Sequence, residues 1–265
     1  MNWVLEAVAE ALEEGRQALS RALRLEHRPI ARGAYGDLSF NFDVEAEKAV
    51  VEVLRKRFEN SLIASEETGI IGESRKPDYY ILVDPVDGSK NALRGVPFYS
   101  TSIVVADGPK LSNVLAAGLI DHSSGEIYLG ERGGEVSAAG TSPRLSEVRS
   151  LKEAYIFLDH GSFNHLESRR WAERLSEEAL STRFIGSAIL EIAYILRGRA
   201  DGFACLSKTL KLMDFLAPAF LLKLSGGYYN ILDIDKDLEI LTRERFGVVA
   251  ASTRELLDEI MALKE

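Results

Sequence analysis

Cysteine occurs once in the 265 residues, at Cys205. That excludes an intramolecular disulfide and leaves a single thiol in an apolar setting, Gly202-Phe-Ala-Cys-Leu206, which suits a core position and not a nucleophile. Histidine is nearly as scarce. His27, His122, His160 and His165 build no Ser-His-Asp motif around a serine, and no Cys/His zinc spacing exists. The glycine patterns of P-loops and dinucleotide folds are also missing. No apolar run is long enough to span a bilayer, and no early basic stretch leads into a signal peptide. Together with the lone cysteine, this makes the cytoplasm the expected location. A formal charge of -9 argues against nucleic-acid or membrane partners. An anionic substrate would then need local attraction, which bound metal ions supply. Repeats and low-complexity linkers are absent as well. With 46% hydrophobic and 28% charged residues, the composition is that of an ordinary globular protein, one large domain or two closely packed halves.

The chemistry concentrates in Ile81-Leu-Val-Asp-Pro-Val-Asp-Gly-Ser-Lys-Asn91. Tyr79 to Val83 is patterned as a buried strand that stops at Asp84, Pro85, Asp87 and Gly88. Two carboxylates three residues apart repel each other unless a cation lies between them, so a divalent metal is the natural occupant. Gly88 permits a tight exit, and Ser89-Lys90-Asn91 looks like a helix start whose free amides attract phosphate. Asp-Gly is equally a hairpin signal, and on these residues alone a plain turn remains open.

Elsewhere, residues 2 to 26 form an amphipathic helix pattern. A second helix, to about Asn60, follows Asp43, with Val44, Ala46, Val50, Val53 and Leu54 inward. Asp43 stands where an N-cap would. Leu62 to Ser65 is a short strand running into Glu66-Glu67, acids that solvent would ordinarily surround. From Ser100 to Val136, regular turns between short apolar runs predict an antiparallel meander in which Asp121 and His122 are turn residues. Gly140-Thr-Ser-Pro143 is the expected seam. It divides an N-terminal α+β half, 1–140, that carries the metal-binding carboxylates from a C-terminal α/β half, 141–265, that completes the site. Beyond the seam, strands and helices alternate: strands at 155–158, 183–185 and 202–206, and helices at 166–180 and 187–197. Ser187 opens a helix and is either its cap or an anion contact. Asp214 precedes an apolar helix, 215–224, and could be only its N-cap, while Pro218 fits the first turn of that helix. Lys208 and Lys211 are candidates for a second phosphate or are simply solvated. Strands at 228–232 and 248–250 and a helix at 252–264 complete the chain.

Asp84-Pro-Val-Asp-Gly-Ser89 resembles the signature of the inositol monophosphatase and fructose-1,6-bisphosphatase superfamily of metal-dependent sugar phosphatases. Asp37-Leu38 through Asp43, Ser65-Glu66-Glu67-Thr68-Gly69, Gly186-Ser187-Ala188 and Met213-Asp214 match other family elements in family order, over residues 37 to 227. The resemblance implies a layered α-β-α-β-α sandwich, usually dimeric. It implies two or three Mg²⁺ held by Glu66, Asp84, Asp87, Asp214 and the Val86 carbonyl, with Glu67 steadying the site from behind. Asp43 would pair with Ser89 at the attacking water, the Gly88 and Ser89 amides would hold phosphate, and Arg183, Gly186, Ser187, Ala188 and Lys208 would lie near the substrate. Phe40, Met213 and Pro218 depart from the family pattern, and the last two imply an altered sugar pocket. The expected activity is hydrolysis of a small sugar or inositol phosphate, inositol 1-phosphate or fructose 1,6-bisphosphate. A 3′(2′),5′-bisphosphate nucleotidase and a non-catalytic regulatory paralogue are the alternatives.

Overall fold

The computed structural model describes residues 3–25, 29–36 and 38–264; Asp37 and His27, singled out above, lie outside them. Helix α1 (Trp3–Ala22) leads through a hairpin of β1 (Pro29–Arg32) and β2 (Leu38–Phe40) into α2 (Asn41–Arg57). There follow β3 (Ser61–Ser65), β4 (Gly69–Ile71), β5 (Tyr79–Asp87), the short helix α3 (Ser89–Arg94), and the strands β6 (Ser100–Ala106), β7 (Val114–Asp121), β8 (Ile127–Glu131) and β9 (Val136–Ala138). The rest of the chain comprises β10 (Tyr155–Leu158), α4 (Leu166–Glu178), β11 (Ser181–Arg183), α5 (Ala188–Ala193), β12 (Gly202–Leu210), α6 (Leu216–Leu224), β13 (Tyr228–Ile231), β14 (Phe246–Ala251) and α7 (Arg254–Ala262).

Strands β3 to β9 make a seven-stranded sheet in the order β4-β3-β5-β6-β7-β8-β9. Its β6 to β9 portion is the expected antiparallel meander, which β5 extends by pairing antiparallel with β6, whereas β3 and β5 run parallel. The later strands form a five-stranded sheet ordered β11-β10-β12-β14-β13. That sheet is mixed: β10 pairs in parallel with β11 and β12, and β14 runs antiparallel to both of its neighbours.

Period-two alternation sorts the strand residues into cores. Ile81, Val83, Ile103 and Val105 face α1 and α2 in one cluster. Leu82, Val104 and Ala106 point the other way, into a core shared with Ile189 and Leu190 of α5, Leu221 and Leu222 of α6, and Phe203 and Cys205 of β12. Their strand neighbours Ala204 and Leu206 face the far side of the second sheet, against Trp171 and Leu175 of α4 and Leu256, Leu257 and Ile260 of α7. The layers are therefore α1/α2, the seven-stranded sheet, α5/α6, the five-stranded sheet and α4/α7, the five-layer sandwich implied above. Gly118 allows α1 to seat closely, since a Cβ there would come within 2.7 Å of Val8 Cγ1. The buried side chains of the α5/α6 layer make the central core, and α5 has no exposed residue at all.

Several local expectations shift. Val44 is only partly buried, and Glu47, one turn beyond Asp43, is buried in its place. The strand expected at 183–185 lies at Ser181–Arg183, and the strand expected to stop at Leu206 continues to Leu210. Met213 and Pro218 are both buried, and Met213 joins the central core. These two departures therefore alter packing, and neither lines the cleft described below.

Candidate active site

The Asp84 to Asp87 stretch is a bulged continuation of the strand and not a plain turn. Asp84 pairs with Ser102 and Asp87 with Ser100, so β5 spends three steps where β6 spends two. In a regular strand, residues three apart point to opposite faces. The extra residue re-aims the second acid to the same side as the first. The bulge is held from below: the Thr101 hydroxyl donates to the Pro85 carbonyl at 2.6 Å and lies 2.8 Å from His122 Nε2. Because the hydroxyl proton is committed to Pro85, Nε2 is the protonated ring nitrogen. Burial pushes the His122 imidazole down to about 3, with the Arg16 charge adding to the effect, so it stays neutral. Asp121 keeps its turn role, accepting from the Ser123 and Ser124 amides, but His122 is a support of the site that sequence pattern did not disclose.

Gly88 follows at φ +84, and a Cβ there would sit 2.6 Å from the Phe98 carbonyl oxygen, so this tight exit needs glycine. Helix α3 begins at Ser89, as expected. Asn91 ties it to the second half by donating to the Phe98 and Ile185 carbonyls at 2.7 and 2.8 Å.

The parallel pairing of β3 with β5 sets Ser65 beside Val83 and delivers Glu66 to the same cleft. The turn that carries Glu66 is clamped by Glu47, which accepts from the Ser65 hydroxyl at 2.5 Å, from the Glu67 amide at 2.9 Å and from the Thr68 hydroxyl. Glu67 stands behind, pushed up to about 7 by burial against a hydrogen bond from Ser39. Asp43 is not an N-cap. It is the third residue of α2, and its Oδ2 accepts from the Phe40 amide at 2.8 Å, closing the turn from inside. Burial pushes Asp43 up to about 8, opposed by the Phe40 amide and, more weakly, by the nearby Ser89 hydroxyl. The Ser89 hydroxyl donates to the Val86 carbonyl at 2.8 Å while lying close to Asp43.

From the second half, the start of α5 grips Asp87. The Ser187 hydroxyl donates to Asp87 Oδ2 at 2.6 Å and the Ile189 amide at 2.9 Å. Ser187 is thus both helix cap and carboxylate holder. Asp214 does not cap α6. It closes a 3₁₀ turn by accepting from the Lys211 amide at 2.8 Å. Lys211 is no solvated lysine: it is buried, with Nζ 2.5 Å from Glu66 Oε1 and 3.5 Å from Asp214 Oδ1.

Glu66, Asp84, Val86, Asp87, Gly88, Ser89, Gly186, Lys211 and Asp214 line one cleft of about 590 Å³. Asp43 is buried outside that lining, and Ser187 and Ala188 lie beneath Gly186. Two expected residues lie apart. Arg183 is exposed, bonded to Ser181 and the Thr182 carbonyl and stacked on Tyr155. Lys208 is exposed on a different cavity beside Trp171.

Electrostatics mark the cleft. Burial, then the negative Glu66, Asp87 and Asp214, push Asp84 well above the carboxylate range. Asp87 rises to about 7, with burial outweighing its hydrogen bonds from Ser187 and Ile189. Asp214 rises to about 7 through burial, against the Lys211 ammonium. Asp84 Oδ1 and Asp214 Oδ1 are buried and accept no hydrogen bond. Among the described residues no three acids close into a ready-made coordination shell. The donors still fit a hard divalent cation: they are all oxygens, crowded, and carry unpaired lone pairs in a buried site.

Residues 3–265 match the Inositol monophosphatase family. The chain belongs to that family, and it is a phosphatase enzyme. It is 29% identical over 246 residues to the fructose-1,6-bisphosphatase/inositol-1-monophosphatase of Methanothermobacter thermautotrophicus, covering 89% of this chain and 86% of that one. It is also 29% identical over 218 residues to the Nus factor SuhB of Pseudomonas aeruginosa, covering 80% and 77%. Among solved structures, the extragenic suppressor protein suhB from Bartonella henselae superposes with a TM-score of 0.82 at 23% identity, covering 99% and 98% of the two chains. Among the described residues, no helix is long and apolar enough to cross a membrane.

Proposed function

We propose that the cleft hydrolyses the phosphomonoester of a small sugar or inositol, inositol 1-phosphate or fructose 1,6-bisphosphate, in a Mg²⁺-dependent reaction. The observation that carries this reading is Asp84 Oδ1, buried and without a hydrogen-bond partner, in an acid cluster with Asp214 whose pKa values are raised. Glu66, Asp84, Asp87, Asp214 and the Val86 carbonyl are the residues that hold Mg²⁺, two or three ions by the family pattern. The Val86 carbonyl already accepts from Ser89, and its second lone pair serves as a ligand. Bound Mg²⁺ supplies a water of lowered pKa and a counter-charge for the leaving oxygen.

The chain's own residues supply position. Ser187 and the Ile189 amide fix the Asp87 carboxylate, and Glu47 fixes the turn bearing Glu66. The Gly88 and Ser89 amides face the phosphate, and Asp43 with Ser89 orients the attacking water. No protein nucleophile takes part. Buried Cys205, whose thiol burial pushes far up, is unsuited to that role. A cytoplasmic homodimer belongs to the same reading.

Phosphate release measured with Mg²⁺ on inositol 1-phosphate, fructose 1,6-bisphosphate and 3′-phosphoadenosine 5′-phosphate tests it. Turnover of either sugar substrate is the expected result. Preference for the nucleotide would replace the substrate class, and no release from any of the three would reject catalysis.

A further inference from the structure

Helix α5 is buried on every side, yet its first turn carries an acid, Glu191. That residue is 1% exposed, and its helix neighbours Ile189, Leu190, Ile192 and Ala193 all belong to the central core. Its Oε1 reaches back past the start of the helix and accepts from the Ile185 amide at 2.8 Å and the Gly186 amide at 3.3 Å. Its Oε2 is buried with no hydrogen-bond partner. Burial, opposed by the Ile185 amide, pushes the carboxyl well above the usual carboxylate range. A half-satisfied polar group in such a core costs stability, and what this side chain contributes there is its grip on two backbone amides. The turn at 185–187 is thereby held from both sides, because Asn91 of α3 donates to the Ile185 carbonyl at 2.8 Å. Gly186 bends at φ +78 and lines the cleft. Ser187 follows at once, its hydroxyl 2.6 Å from Asp87 Oδ2. Glu191 itself is not part of the cleft lining.

We propose that Glu191 is a positioning residue of the hydrolytic site: by holding the Ile185 and Gly186 amides it sets the turn at 185–187 and, through Ser187, the orientation of the Asp87 carboxylate. This rests on the metal-dependent reading of the cleft. Two amides that lose their acceptor in a buried turn must find another, and the turn shifts to reach it. Ser187 then moves with the turn. Groups that orient a metal-binding carboxylate from behind cost about 10- to 100-fold in metal affinity or activity when removed.

Phosphate release by the full chain over a series of Mg²⁺ concentrations tests the proposal. Glu191→Ala is expected to raise the half-saturating Mg²⁺ concentration about tenfold while kcat at saturating Mg²⁺ stays within about twofold. Glu191→Gln keeps an acceptor oxygen at the same reach and should restore the Mg²⁺ requirement of the unaltered protein. The route through Ser187 is read in a double variant. On a Ser187→Ala background, Glu191→Ala should shift the requirement by less than about twofold further, since two substitutions on one path are not additive. An unchanged Mg²⁺ requirement in Glu191→Ala, a fall in kcat alone, or a further shift in the double variant as large as in the single one would overturn the proposal and leave the phosphatase reading standing. Should Glu191→Ala not fold, Glu191→Asp, whose shorter side chain withdraws the acceptor from the amides, is expected to raise the Mg²⁺ requirement in the same direction, and no rise would overturn the proposal. An unaltered protein that releases no phosphate at any Mg²⁺ concentration overturns both.

Discussion

Two concavities of nearly equal size are each lined by four lysines and arginines and differ in their acids, six in one and two in the other. The cleft over the β5 bulge encloses about 590 Å³, and the cavity between α4, α7 and the second sheet about 550 Å³. The second is lined by cations at the surface, Arg170, Arg174, Lys208 and Lys264, and its Lys264 is already paired with Asp233 at 2.6 Å. The first gathers six acids, and although Lys211 pairs with two of them, Asp84 Oδ1 is buried without a hydrogen bond. In a chain of net charge -9, a basic cavity would seem the natural place for an anionic substrate. The contrast teaches that the proposed site is marked by an excess of buried acid over base and not by concavity or a favourable surface sign. Stability would be better served by pairing or removing such groups, and a folded chain keeps them where a ligand completes them.

The most forceful way to break this comparison is to substitute one residue on each side. Asp87→Asn should lower Mg²⁺-dependent phosphate release by at least ~10³-fold while the circular dichroism spectrum stays unchanged. Retained turnover would remove the acids from the chemistry.

A second, smaller effect lies in the pH dependence of the metal-free protein. Asp87 and Asp214 sit at about 7 and Asp43 at about 8, all raised from 3.8. Raised acids bind protons more tightly when folded, so stability falls as pH climbs from the unfolded value through the folded one. His122, lowered to about 3 from 6.5, costs stability only below 6.5. Between pH 6.5 and 9 the acids therefore dominate. The melting temperature should drop across that window, and added Mg²⁺ should flatten the drop. A melting temperature that rises over this range without metal would contradict the charge assignment.

How far the sequence foretold this site depends on range. Asp84 and Asp87 were legible because a strand pattern ran into paired acids and a glycine within eleven residues, and Glu66 because its strand precedes it directly. The bulge that aligns the two aspartates was not, since it exists only against Ser100 and Ser102 of the next strand. Glu47 had a local signal, one helical turn after Asp43 on the same face, but an isolated helix gives no reason to bury an acid. The contacts of Lys211 and His122 were not legible for the same reason: their partners, Glu66 and Thr101, lie 145 and 21 residues away. Lys208 and Arg183, the first a possible second-phosphate ligand and the second named through the resemblance, lie outside the lining of this cleft. The layered fold came through the family resemblance, and periodicity alone gave only a meander followed by alternating elements.

Ser187→Ala sharpens the comparison at its edge by deleting the hydroxyl 2.6 Å from Asp87. A hydrogen bond to a charged acceptor is worth about 1.5–3 kcal/mol. About a tenfold loss in kcat/KM and weaker metal binding should follow, and unchanged metal affinity would deny Ser187 its holding role. The smallest effect is expected on the other side of the comparison. Lys208→Ala, in the basic cavity, should leave kcat/KM within about twofold, as surface substitutions away from a site generally do. A larger loss would mean that substrate reaches beyond the acid cleft.

The most direct measurement is a calorimetric titration of the metal-free chain with Mg²⁺ at neutral pH, repeated on Asp84→Asn. Saturable binding in the first and its loss in the second are what buried, unpartnered carboxylates require. Equal binding in both proteins, or none in either, would contradict the claim that these acids exist to hold metal.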